Sequence, residues 1–227
     1  AIDGTGLAEL RAALDGVLAQ VPAPTTTGRV RLWVDRSFTI TGSGTVVTGT
    51  LAAGTLAQGD RLELLGHSGS RPVAVRGLQS RDTSYPSVEP VSRVALNLRD
   101  VAATDIRRGD ALVTPGAWPT TGVVGIHRTT GVAYTEVPEQ VMVHVGTASV
   151  PARLRPFGAD HARLVLDRPL PLVLGDRLVL RDPGSRSALG GARILDADPP
   201  ELRRRGDGAN WAERLSGMDP AGDILGE

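Results

Sequence analysis

The sequence predicts an all-β protein: two consecutive β-barrels, preceded by a short helix and followed by a partly helical tail. Three observations carry this. Short runs rich in Val, Leu, Ile and Thr recur along the chain, separated by turns containing Gly or Pro, which is the grammar of barrels and sandwiches. The tetrapeptide Gly-Asp-x-Leu occurs at 59–62, 109–112 and 175–178, each time where a turn should deliver the chain into a strand. Pro115-Gly116-Ala117-Trp118-Pro119 is a turn-rich joint that divides the strand-rich region into 29–116 and 121–197.

Residues 7–21 read as a helix. Leu7, Leu10, Leu14, Val17, Leu18 and Val21 recur at helical spacing and make one apolar stripe. Thr5 is a candidate cap, Glu9 suits the first turn, and Pro22-Ala23-Pro24 stops the helix before a linker over 22–28. One helix cannot bury its stripe against itself, so it either packs on a barrel or belongs with a segment outside this chain.

The first β-domain is organised around Asp35–Leu51. Val30, Leu32 and Val34 alternate with Arg29, Arg31 and Trp33, as a half-buried strand should. Continued through Phe38 and Ile40, that period sets Arg36 on the apolar face, which calls for either a bulge or a semi-buried arginine. Gly42 and Gly44 permit the positive φ of a tight turn, and the β-branched run from Thr45 to Leu51 extends from it. Strands follow at 62–66, 72–76, 92–98 and 111–113. In the third of these Val94, Leu96 and Leu98 face inward and Arg93, Ala95 and Asn97 outward.

In the second domain Val123, Val124 and Ile126 open the first strand. Val141, Val143 and Val145 share one face, with Met142 and His144 on the other. Val150, Ala152 and Leu154 alternate with Arg153 and Arg155, and Leu164, Leu166, Leu178 and Leu180 complete the inward set. In the tail, 199–227, Pro199-Pro200 ends the barrel and Arg203-Arg204-Arg205 is a charge run. Asn210 is a candidate cap for a helix carrying Trp211, Leu215 and Met218, which reads as the start of another domain.

Composition excludes several function classes. Aromatics are 3% of the residues, so the cores must be aliphatic. All 25 basic residues are arginine and are balanced by 25 acidic ones, a neutral total that neither demands nor excludes nucleic acid. There is no cysteine, hence no disulfide, thiolate nucleophile or Cys-type zinc site. No apolar run approaches the roughly 18 residues of a membrane span, and no signal peptide opens the chain, so a cytoplasmic location is expected. No phosphate-binding loop of the G-x-x-x-x-G-K-[ST] type and no G-x-S-x-G elbow occur. Gly42-Ser43-Gly44 lies between strands and is not a dinucleotide fingerprint. His67, His127, His144 and His161 show no metal spacing, and His144 reads as a barrel residue. The expectation is a binding module with no catalytic residue, cofactor or metal of its own.

The run FTITGSGTVVTGTLAAGTLAQGDRLELLG (38–66) resembles the second domain of translational GTPases of the elongation factor Tu type. Two places narrow the resemblance to the selenocysteine-specific elongation factors. Asp35 and Arg36 stand in WVDRSFTI where elongation factor Tu typically has two acidic residues, and Arg93 stands in SRVALNL where it usually has asparagine. The resemblance implies two barrels of translation-factor type that, with a GTPase domain, hold an aminoacyl-tRNA. The first barrel would meet the aminoacyl end and the second the T-stem. It implies that Asp35, Arg36 and Arg93 line a selenocysteine pocket and that Arg153, Arg155, Arg163 and Arg168 contact the tRNA backbone. Gly4–Leu10 resembles the last helix of a GTPase domain, so 1–21 reads as its remnant, and GTP and Mg²⁺ belong to that domain of a longer parent. Arg203–Arg205 would lead toward winged-helix modules that bind an mRNA hairpin. The implied partners are selenocysteinyl-tRNA, the ribosome and that hairpin, with the protein itself monomeric. The alternatives are another member of the superfamily, such as an elongation factor Tu relative or a sulfate-activating GTPase, and a scaffold barrel with no RNA partner.

Overall fold

The computed structural model describes residues 3–202 and 207–218. Helix α1 (Leu7–Leu18) precedes β1 (Arg31–Ile40), β2 (Gly44–Leu51), β3 (Leu56–Ala57), β4 (Arg61–Gly66), β5 (Gly69–Ser80), β6 (Thr83–Tyr85), β7 (Ser87–Val88), β8 (Ser92–Arg99) and β9 (Ala111–Val113). These strands pair in the order β4-β9-β1-β2-β8-β5-β6, and β4 also pairs with β5, which closes six of them into a barrel. The second barrel comprises β10 (Thr121–Arg128), β11 (Gln140–Val145), β12 (Ala148–Phe157), β13 (His161–Leu170), β14 (Arg177–Arg181) and β15 (Ala188–Asp196), closed in the order β10-β13-β12-β11-β14-β15. Helix α2 (Asp207–Ser216) follows.

Each barrel encloses one aliphatic core, built by period-2 alternation. In β12, Ala148, Val150, Ala152 and Leu154 are buried while Arg153 and Arg155, on the alternate positions, are exposed. Val94, Leu96 and Leu98 face inward as expected. The three Gly-Asp-x-Leu turns share one geometry. Gly59, Gly109 and Gly175 have φ of 94°, 90° and 85°. In each turn the aspartate carboxylate accepts the backbone N–H three residues earlier: Asp60 from Ala57, Asp110 from Arg107, Asp176 from Val173. Two of these aspartates also take second partners, His67 for Asp110 and Arg31 for Asp176.

A bulge accommodates Arg36. The β1–β2 register steps from Val34↔Gly49 to Arg36↔Thr48, leaving Asp35 as the extra residue and Arg36 exposed. The expectation that Phe38 and Ile40 continue the core face is corrected: they are 39% and 44% exposed. Along β1, only Arg31–Trp33 pair with β9, so beyond the bulge β1 runs on with β2 as its strand partner, outside the closed wall.

Expectations at the two ends are also settled or corrected. Thr5 does not cap α1; its hydroxyl and N–H both go to the Asp3 carboxylate, and Gly6 occupies the cap position at φ 82°. The helix stops at Leu18 because Gln20 and Val21 close tighter turns onto Val17 and Leu18 ahead of Pro22. Its apolar stripe packs on neither barrel: every residue of α1 is exposed. Asn210 lies inside α2, which begins at Asp207. Rather than standing apart, α2 docks on the second barrel through Trp211 and Leu215, which cluster with Leu195, Phe157 and Leu202. Arg203, Arg204 and Arg205 lie outside the described residues.

The barrels lock together. Arg31 of β1 donates two hydrogen bonds of 2.6 Å to the Asp176 carboxylate and one of 2.7 Å to the Pro171 carbonyl. Trp33 packs on the second core, and its ring lies where a side chain at Gly146 would be: a Cβ there would come within 2.4 Å of it. Thr147 donates its hydroxyl to the Val34 carbonyl. Trp118 of the joint sits 4.3 Å and 4.4 Å from the guanidinium carbons of Arg29 and Arg31, a cation–π contact on each.

Candidate functional site

Two arginine-bearing surfaces emerge, one on each barrel. On the first, the bulge turns Asp35 toward β2 and β8. Arg93 Nη1 donates to Asp35 Oδ2 at 2.5 Å and Nη2 to Oδ1 at 3.1 Å, a bidentate pair. Thr48 donates its hydroxyl to Asp35 Oδ1 and lies 3.4 Å from Arg93 Nη2. Thr48 is a residue the sequence patterns did not single out, because it becomes a neighbour only through the register shift. Burial pushes the Asp35 carboxyl up, but the hydrogen bonds from Arg93 and Thr48 and the charges of Arg93 and Arg36 outweigh it and hold it below the usual carboxylate range. The Arg93 side chain is 57% exposed and Asp35 14%, so the pair adds little stability; it fixes the guanidinium plane.

The structure thus brings Asp35 and Arg93 together and leaves Arg36 exposed beside them. It does not enclose them: the three form an open face rather than a cavity. The charge count changes too. Asp35 neutralises Arg93, so among the described residues the positive charge left uncompensated on this face is that of Arg36.

On the second barrel, three of the four arginines singled out from the sequence line one cleft of about 590 Å³: Arg153, Arg155 and Arg163. β12 and β13 place them there because Arg153 and Arg155 alternate on the outer face and Arg163 is the register partner of Arg155. Arg153 Nε lies 3.1 Å from Glu139 Oε1. Burial, and then the charge of Arg155, lower the Arg163 guanidinium below its usual value. Arg168 is the exception. Its Nη2 donates to the Gly109 carbonyl at 2.9 Å, across the barrel interface, so it is a joint residue and not part of the cleft.

The histidines form no metal centre. His127 and His161 are cross-strand partners with ring nitrogens 3.3 Å apart, and His67 meets Asp110. Among the described residues no group of three or more His, Cys, Asp or Glu could hold a metal ion, and no helix is long and apolar enough to cross a membrane.

Comparison with known proteins agrees with this architecture. Residues 134–201 match the family described as selenocysteine-specific elongation factor, beta-barrel domain. The chain is 33% identical over 198 residues to the selenocysteine-specific elongation factor of Escherichia coli K12, covering 86% of this chain and 32% of that protein. The crystal structure of a bacterial selenocysteine-specific elongation factor superposes with a TM-score of 0.78 at 21% identity, covering 95% of this chain and 36% of that one. Translation elongation factor SelB from Methanococcus maripaludis, in complex with the GTP analogue GppNHp, superposes at 0.69 with 22% identity, covering 87% of this chain and 50% of that one. The chain spans about a third of the length of the curated relatives it matches.

Proposed function

We propose that this chain, similar over its two barrels to selenocysteine-specific elongation factors, is the part of such a factor that holds selenocysteinyl-tRNA. In this reading the aminoacyl end lies on the Asp35–Arg36–Arg93 face and the tRNA backbone runs over the Arg153–Arg155–Arg163 cleft. The observation that carries it is the Asp35–Arg93 pair set by the β1 bulge, with Arg36 beside it.

The chemistry supports the assignment. A selenol is more acidic than a thiol, so selenocysteine presents an anion near neutral pH where serine on the same tRNA presents a neutral hydroxyl. Arg36 supplies the free positive charge. Arg93, oriented by Asp35, supplies planar donors without leaving an uncompensated cation on the empty face. A charge-assisted hydrogen bond contributes roughly 1.5–3 kcal/mol, about tenfold to a hundredfold discrimination. With Arg93 already paired and the face open to water, we expect the lower end of that range.

GTP and Mg²⁺ would be bound by a GTPase domain of the parent protein, to whose end α1, with its exposed apolar stripe, corresponds. The segment after α2 would lead toward winged-helix modules that read an mRNA hairpin on the ribosome. The working protein would be a cytoplasmic monomer.

The test is protection of the aminoacyl ester from hydrolysis, comparing selenocysteinyl-tRNA with seryl-tRNA on one tRNA body. This chain and its Arg36→Ala and Arg93→Ala variants would be used, with and without a GTPase domain supplied in the same polypeptide. Selective protection of the selenocysteine ester, lost in either variant, is the expected result. Equal protection of both esters would retain tRNA binding, remove the selenolate site, and favour a general elongation-factor relative. No protection in either format would leave the scaffold alternative.

A further inference from the structure

The cleft of the second barrel holds two guanidinium groups side by side. Arg155 and Arg163 are direct cross-strand partners, an arrangement of like charges that weakens a sheet unless something offsets it. Among the described residues no carboxylate bonds either one. Arg155 lies 5.3 Å over the Phe157 ring, and Arg163 lies 5.5 Å over the Trp211 ring and donates Nη1 to the Pro200 carbonyl at 2.7 Å. Asp196 and Glu201 act on Arg163 only through their charge. Asp196 is itself engaged, accepting from Trp211 Nε1 at 3.0 Å and from Arg214 Nη2 at 2.7 Å. Two adjacent cations at a concave surface, lacking a bonded anion of their own, suit a ligand that brings one.

One wall of this cleft does not come from the barrel. Leu202 lines it, and Arg163 is held by Pro200 and Trp211, all of them in the segment after β15. Helix α2 of that segment is anchored. Leu215 is fully buried, Trp211 is 3% exposed and meets Phe157 edge-on at 5.3 Å, and the Trp211 ring fills the space above Gly125, where a Cβ would come within 2.5 Å of it. A tryptophan on a helix outside the barrel therefore sets the position of a barrel arginine.

Resting on the reading above, we propose that Pro200, Leu202 and helix α2 make a working wall of the cleft, in which Trp211 positions Arg163 so that Arg155 and Arg163 together grip a phosphodiester of an RNA backbone. Trp211 is a positioning residue; the contact to phosphate is made by the two guanidinium groups, whose planar forks match its oxygens. Removing the indole lets Arg163 collapse toward other acceptors, and the cleft loses one phosphate contact.

The experiment is binding of a short fluorescein-labelled RNA duplex to the full chain, read by anisotropy across a salt series. Arg163→Gln should weaken binding on the order of tenfold. It should also reduce the slope of log K against log salt by about 0.7–0.9, the worth of one contact. Trp211→Ala should reproduce both changes, and the double variant should add nothing further, since the two residues act as one unit. Trp211→Phe, which keeps an aromatic face under Arg163, should stay near the parent slope. Leu215→Ala loosens α2 at a residue that does not itself line the cleft and should mimic Trp211→Ala, which guards against a misfolded tryptophan variant. Parent-like affinity and slope in both Trp211→Ala and Leu215→Ala, with Arg163→Gln weakened, would overturn the positioning role and leave the RNA cleft standing. Unchanged binding in Arg163→Gln would overturn the RNA cleft as well. Saturable binding of inorganic phosphate, abolished in Arg163→Gln without any change in RNA affinity, would assign the cleft to a free anion and overturn the proposal.

Discussion

Replacing Arg31 by alanine removes three hydrogen bonds that cross from the first barrel to the second, two to Asp176 and one to the Pro171 carbonyl. The two side chains are 16% and 13% exposed. Without Arg31 the Asp176 carboxylate keeps the Val173 N–H, and Trp118 loses one of its two guanidinium neighbours. Breaking one side of a fully buried pair costs about 3–5 kcal/mol and of an exposed pair about 0.2–1 kcal/mol. At this burial the expected loss is about 2–3 kcal/mol. Urea unfolding followed in parallel by far-UV circular dichroism and tryptophan fluorescence reads it. At a slope of about 2 kcal/mol/M the midpoint falls by roughly 1 M. Because the lost contacts join the barrels, the two probes should also cease to coincide. Asp176→Asn keeps the turn geometry and removes the charge, so a cycle with Arg31→Ala should show a coupling of about 1 kcal/mol or more. A midpoint shift below about 0.2 M, or strict additivity in the cycle, would refute the view that this pair fastens the barrels.

Gly146→Ala should destabilise the interface by about 2–4 kcal/mol in the same assay, since it places a Cβ at positive φ and against Trp33. Arg168→Ala should lower stability while leaving RNA affinity and its salt slope unchanged, the opposite of Arg163→Gln; an RNA defect would return Arg168 to the binding surface. Burial, and then His127, hold His161 below the usual histidine value, and burial followed by Arg181 does the same for His144. The unfolded chain therefore takes up protons first as pH falls, so stability present above about pH 6.5 is lost below it. His161→Gln should flatten that decline in thermal denaturation measured across pH. Asp35 titrates low, so its contribution is present above about pH 4 and disappears as the pH falls further. Asp35→Asn should cost no more than about 0.2–1 kcal/mol, as expected of a pair with an exposed arginine.

The strands and turns were legible in the sequence because they are local. Alternation of Val150, Ala152 and Leu154 with Arg153 and Arg155 needs only the period of an extended chain, and the Gly-Asp-x-Leu turns need only a positive φ and a carboxylate three residues from an N–H. The same period failed at Asp35, where one extra residue reversed the faces and brought Thr48 to the site. It misplaced Phe38 and Ile40 for lack of any signal that the β1–β9 pairing ends at Trp33.

By itself, then, the sequence determined the all-β class, the two barrels, their aliphatic cores and the residues from which a binding surface could be drawn. Tertiary structure alone decided how those residues were shared out. Arg168 went to the interface, Arg31 found Asp176 145 positions away, and Trp211 came to rest over Arg163. The physical reason is that a guanidinium has the same outward-facing pattern whether it meets water, a carboxylate or a phosphate. Which of these it meets depends on where barrel closure and the folding back of α2 bring distant segments, and no local period encodes that distance.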